Sequence, residues 1–327
     1  MAVKPFITGA TGLIGYNLVQ KLLKEGVRPR LLVRSPARAR QLFPKGCEFI
    51  EGDITDALSL AGALKGCDLV FHAAGLPEQW LRDKRIFQSV NVGGTENLVE
   101  ASLAAKVKKF IYVSTIDVFK ADKGAVYDES LIDDAPKHTA YERSKQLADA
   151  VVVAAIERGL KPVFVHPAGL FGPGPESSPG INDLIVKIAK RQVPSLLPGA
   201  LPLVYAPDLA NGILLATKKA SKGNRFIFSS YYFTLRELYK QIAAHFQIAR
   251  VPFTLPLPLA KTVSYAMEAA AKMTHKPPLI PRGQLEFLQW QARPSSVYAQ
   301  KKLKWHQTPF AEALDETIVF LKDYGRL

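Results

Sequence analysis

The stretch Thr8-Gly9-Ala10-Thr11-Gly12-Leu13-Ile14-Gly15 is the most informative part of the sequence about the fold. Its three glycines lie where one hydrophobic pattern ends and another begins. The apolar run before it, from Val3 to Ile7, predicts a short buried strand. After it, apolar residues recur at three-to-four spacing as far as Leu23, which predicts an amphipathic helix. The sequence therefore predicts a strand, a glycine-rich turn and a helix.

Each glycine of this turn has its own predicted role. Gly9 permits a tight turn, Gly12 lets the backbone approach a pyrophosphate, and Gly15 lets the helix pack closely on the strand. Unpaired N–H groups at the helix start favour the ligand's negative charge. The spacing G-x-x-G-x-x-G is one residue off the dinucleotide pattern, and an ordinary turn needs no such triplet. The predicted nucleotide-binding residues here are Gly9, Thr11, Gly12, Leu13, Ile14 and Gly15.

Composition limits the class of protein. The chain has 327 residues, of which 48% are hydrophobic and 22% charged, as is typical of a globular protein with a substantial core. Its net charge is +14, but the basic residues are scattered and do not follow one element with interleaved aromatics, so no nucleic acid is expected as a partner. Anionic small molecules, or an anionic membrane surface, are better candidates.

The cysteines and the N-terminus favour a cytoplasmic protein. Cys47 and Cys67 are interpreted as small buried hydrophobic residues, so neither a disulfide nor a metal site is predicted. Residues 1–5 lack the apolar core of a secretory signal, and no run of about 18 apolar residues predicts a membrane-spanning helix. Peripheral contact with a membrane is a less favoured alternative.

Apolar runs continue to alternate with helical patterns, which predicts a doubly wound parallel sheet of the Rossmann type. Ligands in such sheets bind outside the carboxyl ends of the strands. The side chains at these predicted ends therefore share one site. They are Arg34 and Ser35, Asp53 and Ile54, Ala73, Ala74 and Gly75, and Thr115.

The end of the second predicted strand bears on the choice of cofactor. An acid there would bind the adenosine ribose and repel a 2′-phosphate, whereas Arg34, with Ser35 and Arg38 close by, does the reverse. We therefore predict NADP(H), with NAD(H) as the alternative. Asp53, after the third strand, can accept a hydrogen bond from adenine while Ile54 covers the ring; helix capping is its alternative role.

A tyrosine and a lysine four residues apart indicate chemistry. Tyr141 and Lys145 share one face of a predicted helix, and the ammonium is expected to lower the phenol pKa. Tyr141 could then exchange a proton with a carbonyl or a carbinol. The Thr115 hydroxyl could hold the substrate oxygen, and a nicotinamide would supply the hydride.

With these motifs the chain resembles the extended short-chain dehydrogenase/reductases, which include nucleotide-sugar epimerases, dihydroflavonol reductases and 3β-hydroxysteroid dehydrogenases. The resemblance covers most of the chain. It rests on residues 8–15, 52–54, 72–74, 91–95, 113–115, 141–145 and 166–174.

This resemblance implies Thr115 as a catalytic hydroxyl, Tyr141 as the acid/base, and Lys145 as both pKa modulator and ribose ligand. It also implies cofactor contacts for residues 91, 167 and 168 and a homodimer formed through the helices of residues 91–105 and 141–156. The three further cofactor residues are Asn91, Pro167 and Ala168.

Departures from the superfamily's patterns narrow the range of substrates that we expect. Sugar dehydratases place Asp-Glu after the threonine, where this chain has Ile116 and Asp117, and many nucleotide-sugar members carry an arginine in place of His166. These differences favour the hydroxysteroid and dihydroflavonol branch, and so a ketone or secondary alcohol on a hydrophobic substrate. A nucleotide-sugar epimerase or 4-ketoreductase is the first alternative, and a non-catalytic NADP(H)-binding regulator is the second.

The alternation breaks near Gly172, where prolines become frequent. We predict a dinucleotide-binding domain over residues 1–172, a smaller C-terminal α/β substrate lobe over 173–327, and the return of part of 203–230 to the sheet. Apolar candidates for the substrate pocket are Trp80, Phe119 and Phe171, with Leu81, Phe87 and Trp290 as further possibilities.

Overall fold

The computed structural model describes residues 4–78, 80–175 and 180–327. Its strands are β1 (Pro5–Thr8), β2 (Arg30–Val33), β3 (Glu48–Glu51), β4 (Leu69–His72), β5 (Lys109–Val113), β6 (Val126–Tyr127), β7 (Pro162–Pro167), β8 (Gly169–Phe171), β9 (Ala200–Tyr205), β10 (Arg225–Phe228), β11 (Tyr231–Thr234) and β12 (Arg293–Pro294). Its α-helices are α1 (Leu13–Lys24), α2 (Pro36–Leu42), α3 (Ala57–Leu60), α4 (Arg85–Phe87), α5 (Gly94–Ala104), α6 (Ala140–Ala154), α7 (Ile181–Ala189), α8 (Ala206–Lys219), α9 (Leu235–His245), α10 (Leu257–Thr274), α11 (Arg282–Trp290), α12 (Val297–Leu303) and α13 (Phe310–Asp323). A π-helical segment, Gln88–Gly93, precedes α5, and a 3₁₀ turn, Ile116–Val118, follows β5.

Seven parallel strands form the main sheet, in the order β10-β7-β5-β4-β1-β2-β3. Successive side chains point to opposite faces of a strand, so a continuously apolar run is buried on both. In β5, for example, Phe110 and Tyr112 pack in one buried cluster, whereas Ile111 and Val113 pack in the other. The predicted doubly wound parallel sheet is confirmed.

The strand order reverses between β1 and β4. The chain runs from β1 outward to β3 and then crosses back, so that β4 pairs with the other side of β1. In open α/β sheets a ligand binds in the crevice at such a reversal. The glycine turn follows β1 and therefore lies at this crevice.

A smaller sheet, β11-β9-β8, belongs to the C-terminal half of the chain. Its core is a third buried cluster that contains only residues from position 171 onward. The main sheet also draws on this half, because β10 pairs in parallel with β7 and α8 packs against α1. Within the ranges described, no helix combines the length and the apolar character needed to cross a bilayer.

Candidate active site

The glycine turn after β1 leaves room for a ligand at one position. Gly9 has a φ of +71°, and a Cβ there would lie 2.5 Å from the backbone of Ala73. A Cβ on Gly15 would lie 2.2 Å from the Gly9 carbonyl oxygen. At Gly12, by contrast, the nearest atom to a Cβ is 3.5 Å away, and no side chain caps the helix start. This open space and the N-terminus of α1 fit a pyrophosphate. Thr11, Leu13 and Ile14 lie half-buried around it.

The end of β2 presents positive charge. Arg34 follows the strand directly, and both Arg34 and Arg38 are exposed. The Ser35 hydroxyl has a structural role, because it caps α2 by accepting a hydrogen bond from the Arg38 backbone N–H at 3.3 Å. The two guanidinium groups are therefore well placed to donate charge-assisted hydrogen bonds to a phosphate.

Asp53 stands at the end of β3. Its Oδ1 accepts hydrogen bonds from the backbone N–H and the hydroxyl of Thr55, at 2.9 and 2.8 Å. The following helix, α3, is capped by Asp56 instead. Capping that helix is therefore not the role of Asp53, and its half-buried side chain lies beside the crevice.

Ile54, Pro167 and Ala168 are among the predicted cofactor residues that are buried in the fold. Ile54 packs against α5, where a Cβ on Gly94 would lie 2.6 Å from the Ile54 Cδ1 atom. Pro167 ends β7, and the next N–H, of Ala168, donates to the Phe228 carbonyl oxygen at 2.9 Å. The structure thus gives all three a packing role.

The end of β4 is fixed by a neutral histidine. The Thr95 hydroxyl donates to a backbone carbonyl, so it accepts a hydrogen bond from Nε2–H of His72 at 3.0 Å. Nδ1 then accepts from the Thr8 hydroxyl at 2.8 Å. Burial, ahead of the Lys145 charge, lowers the His72 pKa to about 3. This histidine is structural. The small residues Ala73, Ala74 and Gly75 follow it at the crevice.

Asn91 ties the loop after β4 to the helix that carries the tyrosine. Its Oδ1 accepts from the Leu76 N–H at 2.8 Å, and its Nδ2 donates to the Ser144 hydroxyl at 2.9 Å. A Cβ on Gly75 would lie 3.2 Å from Oδ1. The amide of this buried residue is thus engaged with protein groups, and it holds the loop after β4 in position.

Thr115, Tyr141 and Lys145 meet at the carboxyl end of β5. The Tyr141 phenol lies close to the Thr115 hydroxyl, which donates its proton to Asp117 Oδ2 at 2.8 Å. Lys145, one turn along α6, donates from Nζ to the Val113 carbonyl oxygen at 3.0 Å and lies 5.0 Å from the centre of the Tyr112 ring. A phenol, a hydroxyl and an ammonium are therefore grouped at the crevice.

The protonation states differ from the sequence-based expectation. Burial, and after it the charge of Asp117, raises the pKa of Tyr141 well above its ordinary value. Burial lowers the pKa of Lys145 to about 8, although Asp149 and Asp117 oppose this shift. The ammonium thus does not bring the phenol pKa toward neutrality here. The raised pKa makes this phenol a weaker acid than an ordinary tyrosine unless a positive charge stabilises the phenolate.

A cavity of about 270 Å³ is lined by sequence neighbours of this group, Asp117 and Glu142, and not by the three residues themselves. Asp117 lines it and is only 8% exposed; its Oδ2 accepts a hydrogen bond from the Thr115 hydroxyl at 2.8 Å. Burial, ahead of repulsion by Glu142, raises the Asp117 pKa to about 7. The other lining residues are Asp133, Ala135, Pro136, Lys137, His138, Glu142, Glu286, Phe287 and Trp290.

The aromatic wall of this cavity differs from the predicted one. Phe119 and Phe171 are 0% and 1% exposed, and both belong to buried core clusters, so the structure gives their rings a packing role. Trp80 is half-buried and does not line the cavity. Phe287 and Trp290 on α11 line it instead. Sequence reasoning included Trp290 but missed Phe287, whose only signal is the apolar spacing of its helix.

A buried network also escaped sequence reasoning. Arg225 donates to Asp149 Oδ2 at 2.7 Å and to Nε2 of His166 at 3.1 Å. Because Arg225 can only donate, His166 carries its proton on Nδ1, which donates to the Thr115 carbonyl oxygen at 3.0 Å. Burial lowers the His166 pKa to about 4. No local motif marks Asp149 and Arg225 as partners, because they are 76 positions apart.

Comparison with known proteins agrees with this geometry. The model of the NAD dependent epimerase/dehydratase family matches residues 6–228. A putative dihydroflavonol 4-reductase from Synechocystis sp. is 26% identical and covers 98% of this chain and 95% of that protein. A 4-hydroxy-2-methyl-3-oxo-4-farnesyl-3,4-dihydroquinoline-1-oxide ketoreductase from Stigmatella aurantiaca is 31% identical over 69% of this chain and 68% of that protein.

A solved structure shares the whole fold. UDP-glucose 4-epimerase from Thermus thermophilus, in complex with NAD, has a TM-score of 0.78 and 21% identity, and the match covers 98% of this chain and 99% of that one. The family match extends from β1 to β10 and so includes the entire main sheet. The resemblance to extended short-chain dehydrogenase/reductases is confirmed. The chain belongs to the NAD dependent epimerase/dehydratase family and is an oxidoreductase of that family.

Proposed function

We propose that the protein is an NADP(H)-dependent oxidoreductase that interconverts a ketone and a secondary alcohol on a hydrophobic substrate. The observation that carries this proposal is the grouping of Thr115, Tyr141 and Lys145 at the crevice beside the glycine turn. A bound nicotinamide supplies the hydride. The residues of the chain bind and orient the reactants and move the proton.

Tyr141 is the proton donor for reduction. The phenol is protonated at neutral pH, so it can give its proton to the carbonyl oxygen as hydride reaches the carbon. Because burial raises its pKa, this transfer depends on a positive charge that stabilises the phenolate. The Lys145 ammonium, one helical turn away, stabilises the phenolate that remains. In the oxidation direction the same phenolate takes the proton of the alcohol.

The positive end of β2 supports NADP(H). Arg34 and Arg38 offer exposed guanidinium groups where an acid would favour NAD(H). A 2′-phosphate carries charge that these groups can neutralise with charge-assisted hydrogen bonds.

The cavity supports a substrate with an apolar body. Phe287 and Trp290 give it an aromatic wall. Two relatives are named as a reductase of a dihydroflavonol and a ketoreductase of a dihydroquinoline oxide, and the second name includes a farnesyl group. These names describe the relatives, and they support a similar substrate class here.

A nucleotide-sugar epimerase or 4-ketoreductase is the second candidate. The acidic residues of the cavity favour it in one respect, because they could accept hydrogen bonds from sugar hydroxyls. The same negative charge would repel a diphosphate, however, and for this reason we place this candidate second.

Replacement of the tyrosine hydroxyl tests the proposal. We expect Tyr141→Phe to lower kcat for NADPH-dependent ketone reduction on the order of 10²- to 10⁴-fold, because the general acid is lost. The measurement is NADPH oxidation with flavanonol, steroid and sugar-nucleotide ketones. Tyr298→Phe is the matched control, since its ring stacks on Phe226 away from the site. Equal turnover by Tyr141→Phe and the unaltered protein would refute the proton-transfer role.

A further inference from the structure

One side of α10 is exposed and carries no charged residue. The opposite side is buried: Ala260 and Ala271 are covered, and the Ser264 hydroxyl donates to the Ile280 carbonyl oxygen at 2.9 Å. The exposed residues recur at intervals that place them on one side of a helix. We call this side the outer face of α10; it consists of Leu259, Thr262, Ala266, Ala269, Ala270 and Met273.

The outer face differs from the solvent side of an ordinary surface helix, which carries charged and polar side chains. Leu259 and Met273, near its two ends, are 48% and 83% exposed. About four helical turns, or roughly 21 Å, separate them, and only alanines and one threonine stand between them on this face. Single exposed apolar side chains are common, but an uncharged strip of this length indicates an interaction surface.

The charges around the outer face are positive. From Arg250 to Arg282 the chain has five basic residues and one acidic residue, Glu268. That glutamate is paired with Arg282 at 2.7 Å, and its side chain is only 13% exposed. Lys261, at the side of the outer face, and Lys276, beyond its C-terminal end, are both exposed. This charge is complementary to an anionic surface, and it opposes the packing of two copies of the face on each other.

We propose that the outer face of α10 binds the surface of a bilayer that contains anionic phospholipids. Leu259 and Met273 insert below the headgroups, and the ammonium groups of Lys261 and Lys276 stay at the level of the phosphates. The alanines between the two large side chains let the helix lie close to the lipid. The inference does not depend on the proposed function, because binding to lipid can be measured without a substrate.

This orientation has a consequence for the cavity. Helix α10 packs against α11, which carries Phe287 and Trp290 of the cavity wall. Packed helices lie about 8–10 Å apart, so the aromatic wall is held about one helix diameter from the lipid. An apolar substrate dissolved in the bilayer is then concentrated close to the cavity.

Vesicle flotation of the full chain tests the proposal. One set of vesicles is pure phosphatidylcholine, and the other contains about 30% phosphatidylglycerol. We expect the partition coefficient to be on the order of 10- to 100-fold larger for the anionic vesicles, since each basic residue near the surface adds attraction. The difference should shrink when the salt concentration rises from about 0.1 M to about 0.5 M, because salt screens exposed charges.

Two double variants separate the apolar and the charged contributions. Leu259→Gln with Met273→Gln should lower partition into the anionic vesicles on the order of tenfold or more, because two large apolar side chains no longer enter the lipid. Lys261→Gln with Lys276→Gln should remove most of the preference for anionic vesicles.

Each double variant has a matched control. Leu58→Gln with Val319→Gln removes exposed apolar side chains from α3 and α13, and Lys65→Gln with Lys301→Gln removes exposed charges elsewhere. Both controls should bind the vesicles nearly as the unaltered protein does. Unchanged thermal unfolding and NADPH binding confirm that each variant is folded.

Three results would overturn the proposal. The first is equal partition of the unaltered protein into the two kinds of vesicle, including no binding to either. The second is a control pair that weakens binding as much as its test pair. The third is dissociation of a dimer by Leu259→Gln with Met273→Gln in sedimentation velocity, without any binding of vesicles by the unaltered protein. That result would assign the outer face to a second copy of the chain.

Discussion

At the scale of single residues, Asp117 makes stability depend on pH. Its folded pKa of about 7 lies above the ordinary value of 3.8, so the folded state binds the proton more tightly than the unfolded state. That contribution is fully present below pH 3.8 and is lost as the pH rises through about 7. This buried carboxyl group thus opposes folding at neutral pH.

Asp117→Asn should remove this dependence. Between about pH 5 and about pH 8, the unaltered protein should lose on the order of 3 kcal/mol of unfolding free energy relative to the variant, from the size of the pKa shift. Urea unfolding at both pH values measures the difference. Asp134→Asn should follow the unaltered protein at both values, because Asp134 is exposed. Parallel pH profiles for the unaltered protein and Asp117→Asn would show that Asp117 titrates normally.

Arg34 should determine the choice between the two nicotinamide cofactors. We expect Arg34→Ala to weaken NADPH binding on the order of 10- to 100-fold and to leave NADH binding nearly unchanged, because only NADPH carries the 2′-phosphate. Fluorescence titration gives both dissociation constants. Arg28→Ala removes the same charge before β2, at the opposite end of that strand, and should alter neither constant by more than about twofold. Equal weakening of both cofactors by Arg34→Ala would contradict the assignment.

The sequence predicted which side chains meet at the end of β5 better than it predicted which rings line the cavity. Tyr141 and Lys145 could be recognised because both lie on one helix, where spacing in sequence fixes spacing on a face. Phe119 and Phe171 were predicted to line the pocket, but whether a ring faces a cavity or the core depends on which distant elements pack over it. That information is not local.

At the scale of elements, two glycines of the same turn have different expected roles, one in ligand binding and the other in folding. A Cβ on Gly12 would make only ordinary van der Waals contact with the Gly9 carbonyl oxygen, at 3.5 Å, whereas one on Gly15 would overlap that oxygen. We expect Gly12→Ala to weaken NADPH binding at least about tenfold with little change in stability, since the space is needed by the ligand. Gly15→Ala should lower the unfolding free energy by about 1–3 kcal/mol, as overpacking does.

Calorimetry and urea unfolding on both variants measure this contrast. Gly26→Ala is unsuitable as a control because φ at Gly26 is positive, at +74°. Gly93→Ala is better, since the nearest atom to a Cβ there is 3.9 Å away and the residue is helical. If Gly12→Ala bound NADPH normally, the pyrophosphate could not lie over this glycine.

Five strands of the main sheet could be predicted as apolar runs, because each is buried on both faces; they are β1, β2, β4, β5 and β7. The edge strand β3 is less buried and carries a glutamate at each end. The buried network of Asp149, His166 and Arg225 could not. Its members come from α6, β7 and β10, and only the strand order brings them together. The network positions the Thr115 carbonyl group, so part of the catalytic geometry depends on an element far away in sequence.

At the scale of the whole molecule, the two predicted domains share a core. Phe226 and Phe228 of β10 and Trp305 beyond it belong to the same buried cluster as residues of β1 and β2, and the Trp305 ring packs 5.0 Å from that of Phe228. The boundary at residue 172, like the homodimer, stays a prediction. Sedimentation velocity of the full chain tests the dimer directly.

A fragment of residues 1–172 should therefore fail to fold on its own. It would expose the edge of β7 that β10 covers and the face of α1 that α8 covers, and it would lose the apolar burial that both supply. Thermal unfolding by circular dichroism should show no cooperative transition for this fragment, in contrast to the full chain. A fragment of residues 1–230 restores β10 and α8 but not Trp305, and it should regain at most a weakened transition. Cooperative unfolding and NADPH binding by residues 1–172 alone would instead establish an autonomous nucleotide-binding domain.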